Sequence, residues 1–225
     1  MSDQLSFLVE IWPALLEGLK MSLYLSAGSL FLGLAVGLPL ALAKTYGGRL
    51  LGLLATGYIE VVRGTPMVVQ LLIVYFGLPE IGIVIHRVPA AIIALAINSS
   101  AYQAEYFRGA ILSISDGQLA AARAIGMSQF QAIIYVVLPQ ALRIVIPPWS
   151  NEMVYMVKYT SVAFVIAVPE LMAQGQMIIT RTFRPMETLF WVGVVYVIVL
   201  SILAKIVDLI EARVRIPGFQ MEREG

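Results

Sequence analysis

Met21-Ser-Leu-Tyr-Leu-Ser-Ala-Gly-Ser-Leu-Phe-Leu-Gly-Leu-Ala-Val-Gly-Leu-Pro-Leu-Ala-Leu-Ala43 runs for 23 residues without an Asp, Glu, Lys or Arg. As a helix rising about 1.5 Å per residue it would be about 34 Å long, enough to cross a hydrocarbon layer of about 30 Å. Within it Ser29, Gly33, Gly37 and Ala41 recur every four residues. That spacing lets helix backbones approach closely in lipid and predicts a packing face. Ala41-Leu42-Ala43 resembles a signal-peptide cleavage site, but residues 1–20 hold Asp3, Glu10 and Glu17 against Lys20 alone. An n-region is basic and its apolar run shorter, about 7 to 15 residues, so we expect an uncleaved first span.

Working outward, Gly64–Pro79 is uncharged for 16 residues, Val88–Ala104 for 17 and Thr188–Ala204 for 17. A further span is assembled from Ile144–Pro169, where only Glu152 and Lys158 interrupt apolar sequence. Ala124–Leu142 is uncharged too, yet Gly126, Ser128, Gln129, Gln131, Pro139 and Gln140 predict that it stays outside the bilayer. The chain is 60% hydrophobic and 13% charged, with a mean hydropathy of +0.87. Soluble domains carry about 25% charged residues. We therefore expect an all-α integral membrane protein, a single transmembrane domain over residues 1–225 with about five transmembrane helices. Five is an odd count, which does not divide into the paired repeats of many secondary transporters.

Cytoplasmic loops carry the excess of Lys and Arg. With the N-terminus outside and the C-terminus inside, the inner side collects Lys44, Arg49, Arg63, Arg108, Arg123, Arg143, Lys205, Arg213, Arg215 and Arg223, ten of the fifteen. Lys20, Arg87, Arg181 and Arg184 fall outside and Lys158 within the membrane. That split favours N-out, C-in. The formal charge of +1 carries no footprint for nucleic acid, and the absence of cysteine removes disulfides and thiolate metal sites. His86 is the sole histidine, so no H-E-x-x-H metal site can form. None of Lys20, Lys44, Lys158 and Lys205 follows a glycine, so the chain has no P-loop for ATP.

Residues 108–143, between the third and fourth spans, are long for a connection and carry helix signals. Ser115-Asp116-Gly117-Gln118 and Ser128-Gln129-Phe130-Gln131 both fit a capping box. Gly126 stands where a left-handed C-terminal residue is needed, and Pro139 is expected to end the second helix. This predicts a cytoplasmic helical hairpin with apolar faces formed by Leu119, Ala122 and Ile125, and by Phe130, Ile133, Ile134 and Val137. Two readings fit: amphipathic helices lying on the inner leaflet, or a docking element for a soluble partner.

Polar residues inside spans are functional candidates. Gly64, Thr65 and Pro66 are expected to break the second helix, either as a plain kink or to line a cavity. Asn98, Ser99, Ser100 and Tyr102 suit a zwitterion or bonds between helices. Glu105 and Lys158 could answer an ammonium and a carboxylate, form a buried ion pair, or sit near the inner interface.

Gln118-Leu-Ala-Ala-Ala-Arg-Ala-Ile-Gly126, followed by Val136-Val-Leu-Pro139, resembles the EAA loop of ATP-binding-cassette importer permeases. The two alanines fall on Ala121 and Ala122, the glycine on Gly126, and Leu138-Pro139 closes the motif. Ala120 occupies the glutamate position. Glu60-Val-Val-Arg-Gly-Thr-Pro66 with Gln70, Asn98-Ser-Ser-Ala-Tyr102 with Glu105, and Lys158, Thr160 and Ser161 resemble the helix motifs of the polar amino acid permeases, with Tyr159 in an acidic position. The resemblance implies the permease subunit of an ATP-driven amino acid importer in the plasma membrane of a prokaryote. It implies a substrate pathway at Gly64, Thr65, Pro66, Gln70, Asn98, Ser99, Tyr102, Glu105, Lys158, Thr160 and Ser161. It also implies ATPase coupling through Ala121, Ala122, Arg123, Gly126, Leu138 and Pro139. Its expected partners are a second permease copy, identical or not, two cytoplasmic ATP-binding subunits and an extracytoplasmic amino-acid-binding protein. ATP and Mg would bind those subunits, leaving no cofactor or metal in this chain. A secondary carrier or channel for small polar solutes is the alternative reading, and a membrane scaffold a second one.

Overall fold

The uncharged run Met21–Ala43 lies inside one helix, α1 (Ser2–Tyr46), whose 45 residues exceed what one crossing needs. The computed structural model describes residues 2–214. α2 (Gly48–Gly64) and α3 (Met67–Glu80) meet at 105°, and α4 (Arg87–Leu112) follows. α5 (Asp116–Ala124) leads into α6 (Gln129–Ile144), which meets α7 (Ile146–Ile166) at 54°. α8 (Leu171–Thr182) and α9 (Pro185–Val214) complete the described chain. Arg215 and Arg223 of the charge count lie outside the described residues.

Among the described residues α1 and α9 are each long and apolar enough to cross, and the bent pairs α2–α3 and α6–α7 each meet the same test when taken as one span, the latter including part of the Ala124–Leu142 run expected outside the bilayer. α4 is more polar, and its packing explains why. It runs parallel to α1, from Ile92 beside Gly28 to Glu105 on Lys44, so it traverses the same depth. Fourteen of its 26 residues are buried, and a helix shielded by protein need not present apolar side chains to lipid. The four-residue stripe sets this contact. A Cβ on Gly33 would fall 2.7 Å from Gln103 Nε2, and one on Gly37 only 2.8 Å from the Ser100 carbonyl.

The break expected at Gly64, Thr65 and Pro66 is present, but the second crossing is not confined to Gly64–Pro79. It starts at Gly48 and breaks where Thr65 (φ −109°, ψ 140°) and Pro66 (φ −61°, ψ 139°) are extended. Pro66 has no N–H and biases the preceding residue away from helix, which accounts for the break. Nor does Pro139 end the second hairpin helix. Ile133–Val137 opens into a π-turn in which the Leu138 N–H donates to the Ile133 carbonyl, and the helix continues to Ile144. The wide turn passes the proline without the ring clash an α-helix would impose. Ile73–Gly77 does the same before Pro79, with Leu78 N–H donating to Ile73. Ile73-Val-Tyr-Phe-Gly-Leu-Pro79 and Ile133-Ile-Tyr-Val-Val-Leu-Pro139 thus share one sequence pattern and one backbone solution.

Apolar clusters hold the bundle. Leu25 and Leu30 of α1 pack with Leu71, Ala94, Leu95 and Met156 in the middle. Phe7, Ile11 and Leu15 pack against Leu171 and Ile178 of α8 and Val192 and Val195 of α9. Ala41, Phe107 and Ile111 receive Val137, Ala141 and Val145, which seats α6 on the ends of α1 and α4. Outward, Leu50, Leu53 and Leu54 of α2 and Val197, Ile202 and Leu209 of α9 are exposed, the pattern of surfaces solvated by lipid.

Candidate functional site

A helix break leaves carbonyls without partners, and in a membrane each must be satisfied within the protein. Gln70, buried on α3, does this for the α2–α3 break. Its Nε2 donates to the Val62 carbonyl at 2.7 Å, to the Thr65 carbonyl at 3.1 Å and to Thr65 Oγ1 at 2.8 Å. Its Oε1 accepts from Asn98 Nδ2 at 3.2 Å, tying the break to α4. Gly64, Thr65 and Pro66 themselves are exposed on the surface of the single chain.

A second polar line crosses the bundle through α4. Ser99 Oγ donates to Glu152 Oε1 at 2.8 Å, and Gln103 Nε2 donates to Ser99 Oγ at 3.0 Å and to the Leu30 carbonyl at 3.1 Å. Trp149 Nε1 donates to Gln103 Oε1 at 2.8 Å, and Tyr106 OH to Glu152 Oε2 at 3.4 Å. Glu152, only 3% exposed, is the residue that sequence reasoning undervalued, treating it as an interruption. An acid within an apolar segment was the available signal, since such a group survives only with partners. Ser100 meets Tyr58 OH at 2.8 Å, a further link between α2 and α4.

The remaining candidates separate into two places. Glu105 accepts from Lys44 at 2.8 Å and from Arg108 at 2.8 Å, not from Lys158. Lys158 is exposed, its ammonium 5.0 Å from the Tyr155 ring centroid. Tyr102 is half-buried beneath the Arg63 guanidinium, 5.3 Å from its ring centroid. Thr160 is buried and donates to the Val157 carbonyl, and Ser161 donates to the Lys158 carbonyl. The structure thus joins Gln70 with Asn98 and Ser99 with Glu152, and leaves half-buried Tyr102 beside Arg63 and exposed Lys158 beside Tyr155.

The hairpin forms, though only one of its two expected capping boxes closes. Ser115 accepts from the Gly117 amide, and Ser128 and Gln131 complete a reciprocal capping box. Gly126, at φ +91°, makes the left-handed turn between them. The expected apolar faces divide. Ala122 and Val137 turn inward, whereas Ile125 is 78% and Phe130 72% exposed on either side of the glycine turn. Ala120, Ala121, Arg123 and Pro139 are exposed with them, and Leu138 is half-buried.

Apolar helices around a buried polar line, one crossing broken at its middle and a capped hairpin at one end describe a membrane transport protein. The chain belongs to the family described as "Binding-protein-dependent transport system inner membrane component", whose pattern matches residues 10–216. It is 44% identical to the glutamine transport system permease protein GlnP of Escherichia coli (strain K12), over 92% of this chain and 96% of that one. It is 36% identical to the nopaline transport system permease protein NocM of Agrobacterium fabrum (strain C58 / ATCC 33970), over 92% of this chain and 90% of that one. A solved structure described as "Crystal structure of an amino acid ABC transporter with histidines" superposes with a TM-score of 0.85 at 37% identity, covering 92% of this chain and 96% of the other. The protein is accordingly a multi-pass inner-membrane permease of an ATP-binding-cassette importer, and its fold is that of such permeases.

Proposed function

We propose that this permease carries an amino acid inward, with L-glutamine the first substrate to test, oriented with its N-terminus outside and its C-terminus cytoplasmic. The observation that carries the reading is the hairpin, whose exposed Ile125 and Phe130 flank the Gly126 turn at the end of a bundle built around a polar line. The two apolar side chains would seat in a cleft of a cytoplasmic ATP-binding subunit, with Arg123 beside them. Two such subunits would close on ATP and push a pair of permease chains between inward-open and outward-open states. The likeness to glutamine and nopaline permeases supports an amino acid as cargo. An extracytoplasmic binding protein would deliver it.

The pathway would lie along Gly64, Thr65, Pro66, Gln70, Asn98, Ser99, Tyr102, Glu105, Lys158, Thr160 and Ser161, closed by the second permease chain. Lys158 of that set and Arg63 beside it, held over the Tyr155 and Tyr102 rings, offer charge to a carboxylate. The test is uptake of labelled amino acids into proteoliposomes holding the permease, its ATPase and its binding protein, with and without ATP on the ATPase side. ATP-dependent accumulation that unlabelled glutamine competes away supports the reading. Flux indifferent to ATP and to the ATPase would refute it in favour of a carrier or channel.

A further inference from the structure

Where α1 ends, α2 begins and α4 runs out, the three helices form an open recess of about 620 Å³. Small-molecule sites occupy about 300–1,000 Å³, so it is large enough to receive a headgroup. Lys44, Arg49 and Arg108 line it from the three helices, and Leu53 and Leu112 form its apolar side. Glu105 is the acid that meets these cations, bridging Lys44 and Arg108 at 2.8 Å each. One carboxylate does not neutralise three cations, and Arg49 is exposed with no ion-pair partner among the described residues. The floor is open because Gly48 and Gly52 carry no side chain, and a Cβ on Gly48 would meet nothing within 4 Å.

The mouth of the recess continues onto the exposed leucines of α2, Leu50, Leu53 and Leu54. A basic recess at the end of membrane-crossing helices, opening onto an apolar face, has the chemistry of a phospholipid site. We infer that this recess binds the phosphodiester of an anionic phospholipid, with the acyl chains lying along the leucine face of α2. A free phosphate shares the charge but has no use for the leucines. Arg108 and Leu112 stand immediately before the hairpin, so a bound lipid would brace the joint through which spans and hairpin move together. The inference rests on α1, α2 and α4 crossing the membrane and is independent of which solute is carried.

The test uses the permease complex purified in neutral detergent, stripped of lipid and titrated under native mass spectrometry with phosphatidylglycerol or phosphatidylcholine. The wild-type complex should bind phosphatidylglycerol in preference to phosphatidylcholine. Arg49→Gln should weaken that binding by about fivefold, the effect of one basic residue near an anionic headgroup. Arg49→Lys should restore it, and Arg213→Gln, an exposed cation in the last turn of α9, should leave it unchanged. Equal binding of the two lipids, or equal weakening by Arg213→Gln, would overturn the proposal. Displacement of phosphatidylglycerol by inorganic phosphate in millimolar excess would also overturn it, by assigning the recess to a soluble anion.

Discussion

Ser99 and Glu152 meet at 2.8 Å between α4 and α7, and Gln103, 3.0 Å from the same hydroxyl, ties both to the Leu30 carbonyl of α1. One serine therefore couples three crossings. Removing its hydroxyl leaves Glu152 with Tyr106, 3.4 Å away, as its remaining hydrogen-bond partner. A hydrogen bond to a charged buried group contributes about 1.5–3 kcal/mol. Ser99→Ala should lower the melting temperature of the purified permease, and Glu152→Gln, which preserves shape and can still accept from Ser99, should lower it less than Glu152→Ala. Melting of Ser99→Ala equal to wild type would show that the network contributes nothing to stability.

Gln70 holds the α2–α3 break by serving Val62 and Thr65 at once. Gln70→Leu keeps the bulk but removes the amide from the Thr65 carbonyl and leaves the Val62 carbonyl with Thr65 Oγ1 alone at 3.3 Å, at about 1–3 kcal/mol for a buried group left unsatisfied. Gln70→Glu keeps the shape but not the chemistry, since a carboxylate cannot donate to either carbonyl. Both variants should insert and lose most uptake in proteoliposomes. Wild-type uptake by Gln70→Leu would show the break to be self-supporting.

The Gly126 turn at φ +91° is the conformation that a side chain resists most. Gly126→Ala should weaken co-purification of the ATP-binding subunit, with a local cost of about 1 kcal/mol. Asn tolerates positive φ better than Ala does, so Gly126→Asn should lie between Gly126→Ala and wild type. Gly126→Pro, whose ring fixes φ near about −65°, should abolish ATP-stimulated uptake while leaving membrane insertion intact. Unaltered uptake in Gly126→Pro would remove the hairpin from the coupling mechanism.

Ala120 is exposed on the same hairpin at the position where the resembling loop carries an acid. An exposed ion pair contributes about 0.2–1 kcal/mol. Ala120→Glu should therefore tighten ATP-binding-subunit association by up to about fivefold, measured by titration in detergent at low salt, with the gain vanishing at high salt. An unchanged or weaker complex would mean that the partner presents no cation opposite this residue.

What the sequence revealed and concealed follows from the range of each signal. Local signals were readable: the uncharged Met21–Ala43 run, the Ser128 capping box and the Gly126 turn depend on neighbours within a few residues. Gly48–Gly64 was hidden because Arg49, Glu60 and Arg63 broke the uncharged run, although a helix facing protein and lipid by turns tolerates charges near its ends. Pro139 misled because a proline stops an α-helix but not a π-turn, and Ile133–Val137 does not advertise that choice. The partners of Glu105, Lys44 on α1 and Arg108 on its own helix, could be separated from Lys158 only once α1 and α4 were known to run parallel.

The parallel helices α1 and α4 approach closely at Gly33 and Gly37. At Gly37 a new Cβ would sit 2.8 Å from the Ser100 carbonyl and 3.0 Å from Gln103 Cβ, and backbone cannot swing aside as a flexible side chain can. Gly37→Ala should therefore part the helices and cost about 1–3 kcal/mol, the range for overpacking. Gly57 is the matched control, helical on α2 with nothing within 4 Å of the place a methyl group would occupy. There alanine should be neutral or stabilising, by up to about 1 kcal/mol from helix propensity alone. The two variants differ by the same single methyl group, so opposite shifts in thermal stability would isolate the close approach as the cause, and equal shifts would show that α1 and α4 can separate without loss.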